Sequence, residues 1–425
     1  MEKQDKILQM FFSPERWQQA IAKGLDKDIS KATLRRLTTP AARSLMYRRI
    51  RDGKYQIMPP RTALIPKDNG EFRTVYVNEP ADRVLLSVAN DLLFELMPDM
   101  VHPQCRSYLK GVGCGRVVQE CSRRMSRPTE SPDGVLGFKS DLSKYFDSVP
   151  LEFIDRAFDR VEQRHGHSAL IDVLRGYYHS DVYFTPEGVL AEKYQSLKQG
   201  CSVASWLADV ILYHIDDQLS RLDGFYVRYS DDMLFIGPDY VKAMHILTYE
   251  LGKMRMTLNP KKVELLDPDH WFKFLGYSIK GSAISLSSTR IKTFQKEVES
   301  RTTRRRGATL TTSVNLVNRY LYRGYNGHSW ATQVLPIVNV KEDLLTLNEF
   351  VIDSLRAVQT GKRRIGGLGY VKTQSVGCIS RGRGRNVTAN RQKTPERIPG
   401  YPSLCLMRNA LLTSRAAYDT LVANL

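Results

Sequence analysis

The sequence predicts a mixed α+β fold with two or three structural units, and three patterns carry this prediction. Residues 225–237 alternate in a strand-like period of two and then run apolar, which is typical of a hairpin with a short polar tip. Residues 135–141 form an apolar run that ends in an aspartate. Residues 82–97 place leucine and valine at helical spacing. A chain of 425 residues with 42% hydrophobic side chains can bury a large core.

Three aspartates lie at the ends of the predicted strands. Asp231 and Asp232 form the tip of the hairpin, and Asp141 ends the apolar run. Because adjacent aspartates are also common in ordinary turns, the hairpin alone indicates no function. Three carboxylates in one sheet could, however, hold two divalent cations, which activate an attacking oxygen and stabilise a leaving oxygen in phosphoryl transfer. Mg²⁺ prefers carboxylates, waters and substrate phosphates as ligands.

Five short motifs resemble motifs A to E of the reverse transcriptase family, in the same order and at similar intervals. They are Asp141 with Phe146, Leu197-Lys-Gln199-Gly200, Tyr229-Ser-Asp231-Asp232, Leu258-Asn-Pro-Lys-Lys262 and Phe274-Leu-Gly276-Tyr277. Upstream, residues 60–73 resemble the fingers region of bacterial reverse transcriptases. The resemblance implies a right-hand polymerase fold with fingers, an RRM-like palm and a helical thumb, plus a basic C-terminal extension.

The same resemblance divides the chain into five regions. We expect an N-terminal helical extension (1–55), fingers (56–134), a palm with residual fingers elements (135–288), a thumb (289–353) and a basic C-terminal extension (354–425).

Composition adds detail to three segments of the chain. Residues 104–134 are rich in glycine, arginine and serine and are expected to be loop-like. Residues 354–395 contain ten lysines and arginines and no acidic residue, which predicts an RNA-binding tail or, alternatively, a disordered solubilising linker. Residues 404–425 are expected to form an apolar helix that packs back on the body of the protein.

The resemblance implies a metal site and a general acid. Asp141, Asp231 and Asp232 would hold two Mg²⁺ ions, with the backbone carbonyl of Leu142 as a further ligand. Lys262 best matches the motif D lysine, a candidate general acid that protonates the departing pyrophosphate.

A neighbouring lysine is a second candidate for the general acid. Lys261 lies one position before Lys262 and is the alternative match to the motif D lysine.

The resemblance also implies a site for the incoming nucleotide. Lys67 and Arg73 would grip its triphosphate, for which an ammonium and a planar guanidinium are suited. Phe146 would exclude a ribose 2′-hydroxyl and so favour deoxynucleotides. Gln199 would lie against the nucleotide, and Gly200 would allow the backbone to approach the templating base pair. The alternative for Lys67 and Arg73 is that they are two exposed charges on a hairpin. The alternative for Phe146 is that it simply packs in the core.

The motif B region departs from the family pattern at two places. Lys198 stands where the family usually has proline, and Ser205-Trp206 stands where it often has Ser-Pro. The detailed shape of this loop is therefore not predicted.

Charge and cysteine usage indicate the partners and the compartment. The formal net charge of +18 suits a polyanionic partner such as nucleic acid. The six cysteines are scattered without a zinc-ligand spacing, which is typical of reduced thiols in a cytoplasmic protein. Neither a signal peptide nor a membrane span is expected. The sequence does not indicate an oligomeric state.

We therefore predict an RNA-directed DNA polymerase that makes cDNA from dNTPs on a dedicated structured non-coding RNA. Its size and free-standing layout resemble the defence-associated, unknown-group reverse transcriptases of bacteria, which implies a role in antiphage defence.

Three alternatives stay open. They are a template-independent or protein-primed DNA polymerase of the abortive-infection type, an RNA-dependent RNA polymerase, and a non-catalytic RNA-binding or maturation protein. The aromatic Phe146 argues against the second, and the intact set of carboxylates argues against the third.

Overall fold

The computed structural model describes residues 4–23, 29–67, 70–109, 111–126, 135–324, 328–361 and 398–425. The chain forms two compact units, and each is considered by itself. The first unit contains Met1–Lys110 and Phe138–Glu264, and the second contains Gly111–Gly137 and Leu265–Leu425. Helices and strands occur in both, which confirms the predicted mixed α+β class.

The helices follow one another in chain order. They are α1 (Lys6–Phe11), α2 (Pro14–Lys23), α3 (Lys31–Leu37), α4 (Pro40–Arg51), α5 (Pro80–Leu96), α6 (Cys114–Met125), α7 (Tyr145–Ser148), α8 (Leu151–His165), α9 (Ala169–His179), α10 (Val203–Val210), α11 (Tyr213–Ser220), α12 (Tyr240–Lys253), α13 (Ser288–Arg301), α14 (Leu310–Asn318), α15 (Trp330–Val334), α16 (Lys341–Thr360), α17 (Leu404–Thr413) and α18 (Arg415–Ala423). A 3₁₀ turn (Pro98–Met100) and a π-helical turn (Arg319–Arg323) accompany them.

The strands form three sheets. They are β1 (Arg61–Pro66), β2 (Phe72–Val77), β3 (Gly137–Asp141), β4 (Val182–Phe184), β5 (Leu190–Glu192), β6 (Phe225–Tyr229), β7 (Asp232–Ile236), β8 (Glu264–Leu266), β9 (Phe272–Phe274), β10 (Tyr277–Lys280) and β11 (Ala283–Leu286). The strand orders are β2-β1-β4-β5, β6-β7-β3-β8 and β11-β10-β9.

The core of the first unit is built around α5 and the β6–β7 hairpin. Helix α5 covers the segment predicted to be helical and buries a stripe of valines and leucines, because these recur at three- and four-residue spacing. Strands β6 and β7 pair antiparallel, as predicted for residues 225–237. Residues of both strands are buried on both faces of the sheet, except at the tip of the hairpin. The alternating sequence of β6 is instead typical of a strand with one exposed face. The hairpin is thus an internal element.

Strands β1 and β2 form a hairpin in the segment that resembles the fingers region. They pair antiparallel from Arg61↔Val77 to Pro66↔Phe72. The sequence places an Asn-Gly turn between the two strands, and residues 68 and 69 of this turn lie outside the described part of the chain.

In the second unit, the expectation of a loop-like segment over 104–134 is wrong for part of its length. Residues 114–125 form α6, which buries one face through Val117, Val118, Cys121 and Met125. These four apolar side chains have helical spacing, but glycine, glutamate and arginine at neighbouring positions make the segment polar as a whole and hide the pattern. Residues 127–134 lie outside the described residues.

The C-terminal residues pack back on the second unit, as expected, but as two helices rather than one. Ser414 ends α17 in an extended conformation, and its side chain accepts a hydrogen bond from the Ala417 amide at the start of α18. The Tyr401 hydroxyl donates to Asn348 of α16 at 3.1 Å, and the Tyr418 hydroxyl donates to the Tyr322 carbonyl at 3.0 Å. Most of the predicted basic tail, residues 362–397, lies outside the described residues.

None of the helices in the described ranges has the length and apolar character needed to cross a bilayer.

Candidate active site

The candidate site begins at the tip of the β6–β7 hairpin. Tyr229 pairs with Asp232, so Ser230 and Asp231 are the two turn residues. Ser230 has a φ of +58°, the left-handed value that a tight two-residue hairpin of matching twist requires at its first position. Its hydroxyl lies 3.3 Å from that of Tyr108. The turn thus projects the two adjacent carboxylates from a buried, rigid hairpin.

Asp141 is brought to the same place by β3, the strand beside β7. The amide of Leu142 donates to the carbonyl of Asp231 at 3.2 Å, which ties the end of β3 to the tip of the hairpin. The carbonyl of Asp141 accepts from the amide of Asn259 at 2.8 Å. Lys262 donates from its ammonium to the Asp141 carboxylate at 2.7 Å. Segments that match motifs A, C and D are therefore joined by hydrogen bonds and not only by sequence order.

The electrostatics of this cluster favour the binding of a cation. Burial raises the pKa of Asp232 to about 7, and the neighbouring charges of Asp231 and Asp141 act in the same direction. Burial and the charge of Asp141 likewise raise the pKa of Asp231. Burial by itself would lower the pKa of Lys262. The hydrogen bond to Asp141 and the negative charges of the three aspartates have a larger effect, so the pKa is raised. Added positive charge would relieve the repulsion among the three carboxylates.

The donor set fits a hard divalent cation. Three aspartate carboxylates offer oxygen ligands of the kind that Mg²⁺ prefers. Within the described ranges, only Glu162, His167 and Asp172 have potential ligand atoms that all lie within 4.8 Å of one another, and the three aspartates are less closely grouped. Both nitrogens of His167 already contact these carboxylates. The roles of Asp141, Asp231, Asp232 and the Leu142 carbonyl as metal ligands remain predictions.

Three of the predicted nucleotide-binding residues share one cavity. The cavity has a volume of about 370 Å³ and is lined by Phe146, Gln199 and Gly200, together with Tyr108 and Asn90. The ring of Phe146 is half-buried and meets that of Tyr145 edge to face at 5.6 Å. Aromatic, amide and bare backbone groups in one open cavity suit the sugar and base of a nucleotide.

The two predicted phosphate-binding residues lie on the β1–β2 hairpin and not in this cavity. Lys67 is exposed and pairs with Glu71 at 3.3 Å, and Arg73 is exposed opposite Ile65. Burial raises the pKa of Asp147, and the charges of Lys67 and Arg73 are among those that oppose this rise. The charge of Arg73 also acts to lower the pKa of Asp231, which burial raises. The charge of Arg73 therefore reaches the acidic cluster.

The loop that carries Gln199 and Gly200 is fixed to β2. The amide of Tyr76 donates to the carbonyl of Gln199 at 2.7 Å. Gly200 has a φ of +110°, and a Cβ at this position would lie 2.7 Å from the Tyr76 carbonyl oxygen. Only glycine fits both the conformation and the close approach.

Sequence reasoning missed a buried ion pair behind the hairpin turn. The side chains of Arg228 and Asp216 are both 0% exposed. The guanidinium donates to Asp216 twice at 2.7 Å, to the carbonyls of Ala208 and Asp209 at 3.1 and 2.8 Å, and to the carbonyl of Ser230 at 3.2 Å. These five bonds use all five N–H groups of the arginine. An arginine within an otherwise apolar strand was the available signal, but its acidic partner lies on a different element, α11.

Comparisons with known proteins give a family match over the central part of the chain. The family profile described as "Reverse transcriptase (RNA-dependent DNA polymerase)" matches residues 65–279, just over half of the chain. The putative COX1/OXI3 intron 1 protein of Saccharomyces cerevisiae is 22% identical over 334 residues, which cover 65% of this chain and 39% of the yeast protein. The chain therefore spans about two fifths of the length of that relative.

Similar solved structures include two telomerases. The apo telomerase of Candida tropicalis truncated from its C-terminal domain has 15% identity and a TM-score of 0.41, over 55% of this chain and 56% of that chain. The telomerase of Candida albicans in complex with a TWJ fragment of telomeric RNA has 14% identity and a TM-score of 0.39, over 73% and 62%. Both are distant likenesses.

Proposed function

This chain belongs to the reverse transcriptase family, and we propose on that premise that it is an RNA-directed DNA polymerase. The observation that carries the proposal is the meeting of Asp141, Asp231 and Asp232 with Lys262. The adjoining turn residue Ser230 has its hydroxyl 3.3 Å from that of Tyr108, which lines a nucleotide-sized cavity. A protein that only binds RNA has no need to gather three mutually repelling carboxylates at the ends of neighbouring strands.

The three aspartates would hold two Mg²⁺ ions, together with the carbonyl of Leu142. When bound, these ions supply activation of the primer 3′-hydroxyl and stabilisation of the departing oxygen. The chain itself holds the carboxylates in place through the Asp231–Leu142 backbone bond and the Asp141–Asn259 backbone bond.

The remaining site residues would bind the nucleotide and supply a proton. Lys67 and Arg73 would bind its triphosphate, and Phe146 would reject a 2′-hydroxyl beside Gln199. Lys262 would protonate pyrophosphate as the α-phosphate joins the primer. Its raised pKa keeps it charged before the reaction, as a general acid must be.

We further propose a dedicated template and a biological role. The template would be a structured non-coding RNA, and the product would be complementary DNA. The resemblance to free-standing, defence-associated bacterial reverse transcriptases supports a role in antiphage defence. The net charge of +18 supports a polyanionic partner, since each neutralised phosphate releases counterions.

Replacement of one aspartate tests the proposed chemistry. D231N keeps the size of the side chain but removes a charged ligand, so it should reduce dNTP incorporation on an RNA template by about 10³-fold or more. Primer extension with Mg²⁺ measures the rate, and a filter assay measures RNA binding, which should not change.

D269N serves as the matched control, because Asp269 is an exposed aspartate outside the site. It should retain full incorporation. Full incorporation by D231N would overturn the proposed function.

A further inference from the structure

Lys198 is a lysine that the fold buries completely. Its exposed fraction is 0%, although it lies in the loop between β5 and α10. Its ammonium donates to the carbonyl of Ser180 at 2.6 Å and lies 4.4 Å from the centre of the Tyr177 ring. Ser180 is the residue at which α9 ends. The carbonyls at a helix C-terminus carry partial negative charge, which offsets part of the cost of burying the ammonium.

The backbone around Lys198 is unusual. Ser196, Lys198 and Gly200 have φ values of +48°, +52° and +110°. Left-handed conformations at non-glycine residues cost free energy and persist only where the surroundings hold them. The Lys198 carbonyl accepts from the amide of Cys201 at 2.9 Å, and the Lys198 amide donates to the Gln195 carbonyl at 3.0 Å. The loop is therefore tightly turned, and backbone hydrogen bonds hold it on both sides of Lys198.

Two attachments fix the loop on opposite sides of Gln199. On one side, the Lys198 ammonium is bound to the end of α9. On the other side, the Gln199 carbonyl accepts from the Tyr76 amide, and Gly200 packs on the Tyr76 backbone. Gln199 lines the cavity with Phe146. A family proline would fix this loop through its own ring, whereas this chain has a charged side chain at the same position.

We infer that Lys198 is a positioning residue, whose buried ammonium fastens the motif B loop to the end of α9 and so holds Gln199 and Gly200 at the nucleotide cavity. The inference rests on the proposed function for its effect on nucleotide binding. Its structural part, the fastening of the loop, is independent of that function.

The protonation of Lys198 gives the inference a measurable signature. Burial lowers the pKa of Lys198 to about 8. The groups that face the ammonium are the Asp181 carboxylate, the Cys201 thiol and the Tyr177 ring. Burial raises the pKa of both Cys201 and Tyr177, so these two stay neutral near pH 8. Above that pH the ammonium is lost, and the attachment to the helix end weakens.

K198M tests the inference, because methionine keeps a long unbranched side chain but cannot donate a hydrogen bond. The KM for dNTP should rise about fivefold or more while kcat changes little. The ratio of this KM to that of the wild type should fall toward one as the pH rises above 8. K242M is the control, since Lys242 is exposed on α12, and its KM should not change.

Hydrogen exchange gives a readout that needs no polymerase activity. In the free protein, the Tyr76 amide should exchange about tenfold faster in K198M than in the wild type, because its acceptor is on the released loop. Thermal unfolding should occur at the same or a higher temperature, since an ammonium is no longer buried.

The outcomes separate the two proposals. Faster exchange at Tyr76 in K198M, together with no incorporation by the wild type, would overturn the proposed function and support the positioning role. Unchanged exchange and unchanged KM in K198M would overturn the positioning role. A lower unfolding temperature with unchanged KM would also overturn it, since packing alone would then explain the residue.

Discussion

Arg228 shows how one side chain can support the turn of the candidate site without lining the nucleotide cavity. Its guanidinium joins Asp216 of α11, carbonyls near the end of α10 and the carbonyl of Ser230 in the turn. The hydroxyl of Tyr226 donates to the same Asp216 carboxylate at 2.8 Å. Because the pair is wholly buried, each charge depends on the other for compensation. The turn is therefore fastened from inside the unit.

R228K should be strongly destabilising. Lysine keeps the charge but has three donors in place of five, so it cannot make the five bonds to three carbonyls and both oxygens of one carboxylate. The free energy of unfolding should fall by about 3 kcal/mol, as when a buried pair loses its geometry. Urea unfolding measures the change.

The control for this change is another arginine–aspartate pair. R221K alters Arg221, which is exposed and pairs with Asp217 of α11. The effect should be below about 0.5 kcal/mol. Equal effects of R221K and R228K would show that the buried network contributes nothing beyond an exposed pair.

Among the secondary-structure elements, the motif B loop packs closely on β2, and two residues of this loop line the proposed nucleotide cavity. Gly200 makes this approach, and Tyr76 supplies both the amide and the carbonyl that the loop meets. The motif predicts the position of Gly200 but not its contact with β2, because the two segments are far apart in the sequence.

G200A should destabilise the protein because the new Cβ would meet the Tyr76 carbonyl oxygen in a left-handed conformation. The expected loss is about 1–3 kcal/mol in the free energy of unfolding. G176A is the matched control, since Gly176 lies within α9 with open space around it. Alanine there should stabilise by about 0.5–1 kcal/mol. A stabilising G200A would contradict the close packing.

Local patterns predicted several elements well. Helix α5 and the β6–β7 hairpin form where periodicity and turn residues place them. The hairpin between β9 and β10 is also tight, with Leu275 and Gly276 at positive φ between the paired Phe274 and Tyr277. These features depend on neighbouring residues, so the sequence contains their causes directly.

For the molecule taken as a whole, the basic charge and the acidic site have complementary roles. The net charge of +18 favours a nucleic acid backbone, whereas the clustered aspartates favour cations. A protein with both features can hold a polyanionic template and still bind metal at one point within it.

Sequencing of the co-purifying nucleic acids tests the proposed template. The wild type, purified from its native host, should carry one abundant structured RNA and DNA complementary to it. The D231N protein is the control and should carry the same RNA without the DNA, because only the chemistry is lost. A mixed RNA population would remove the dedicated template, and DNA without complementary RNA would indicate an untemplated polymerase.

The mixed fold class, the order of the motifs and the position of the three aspartates at strand ends could all be predicted from the amino-acid sequence. They follow from local periodicity, turn chemistry and motif spacing, which adjacent residues set. The burial of Lys198 and Arg228 and the packed face of the helix over 114–125 became evident only in the folded chain. Burial depends on partners distant in sequence: Ser180 lies 18 positions from Lys198, and Asp216 lies 12 positions from Arg228. No local pattern specifies which distant group will compensate a buried charge.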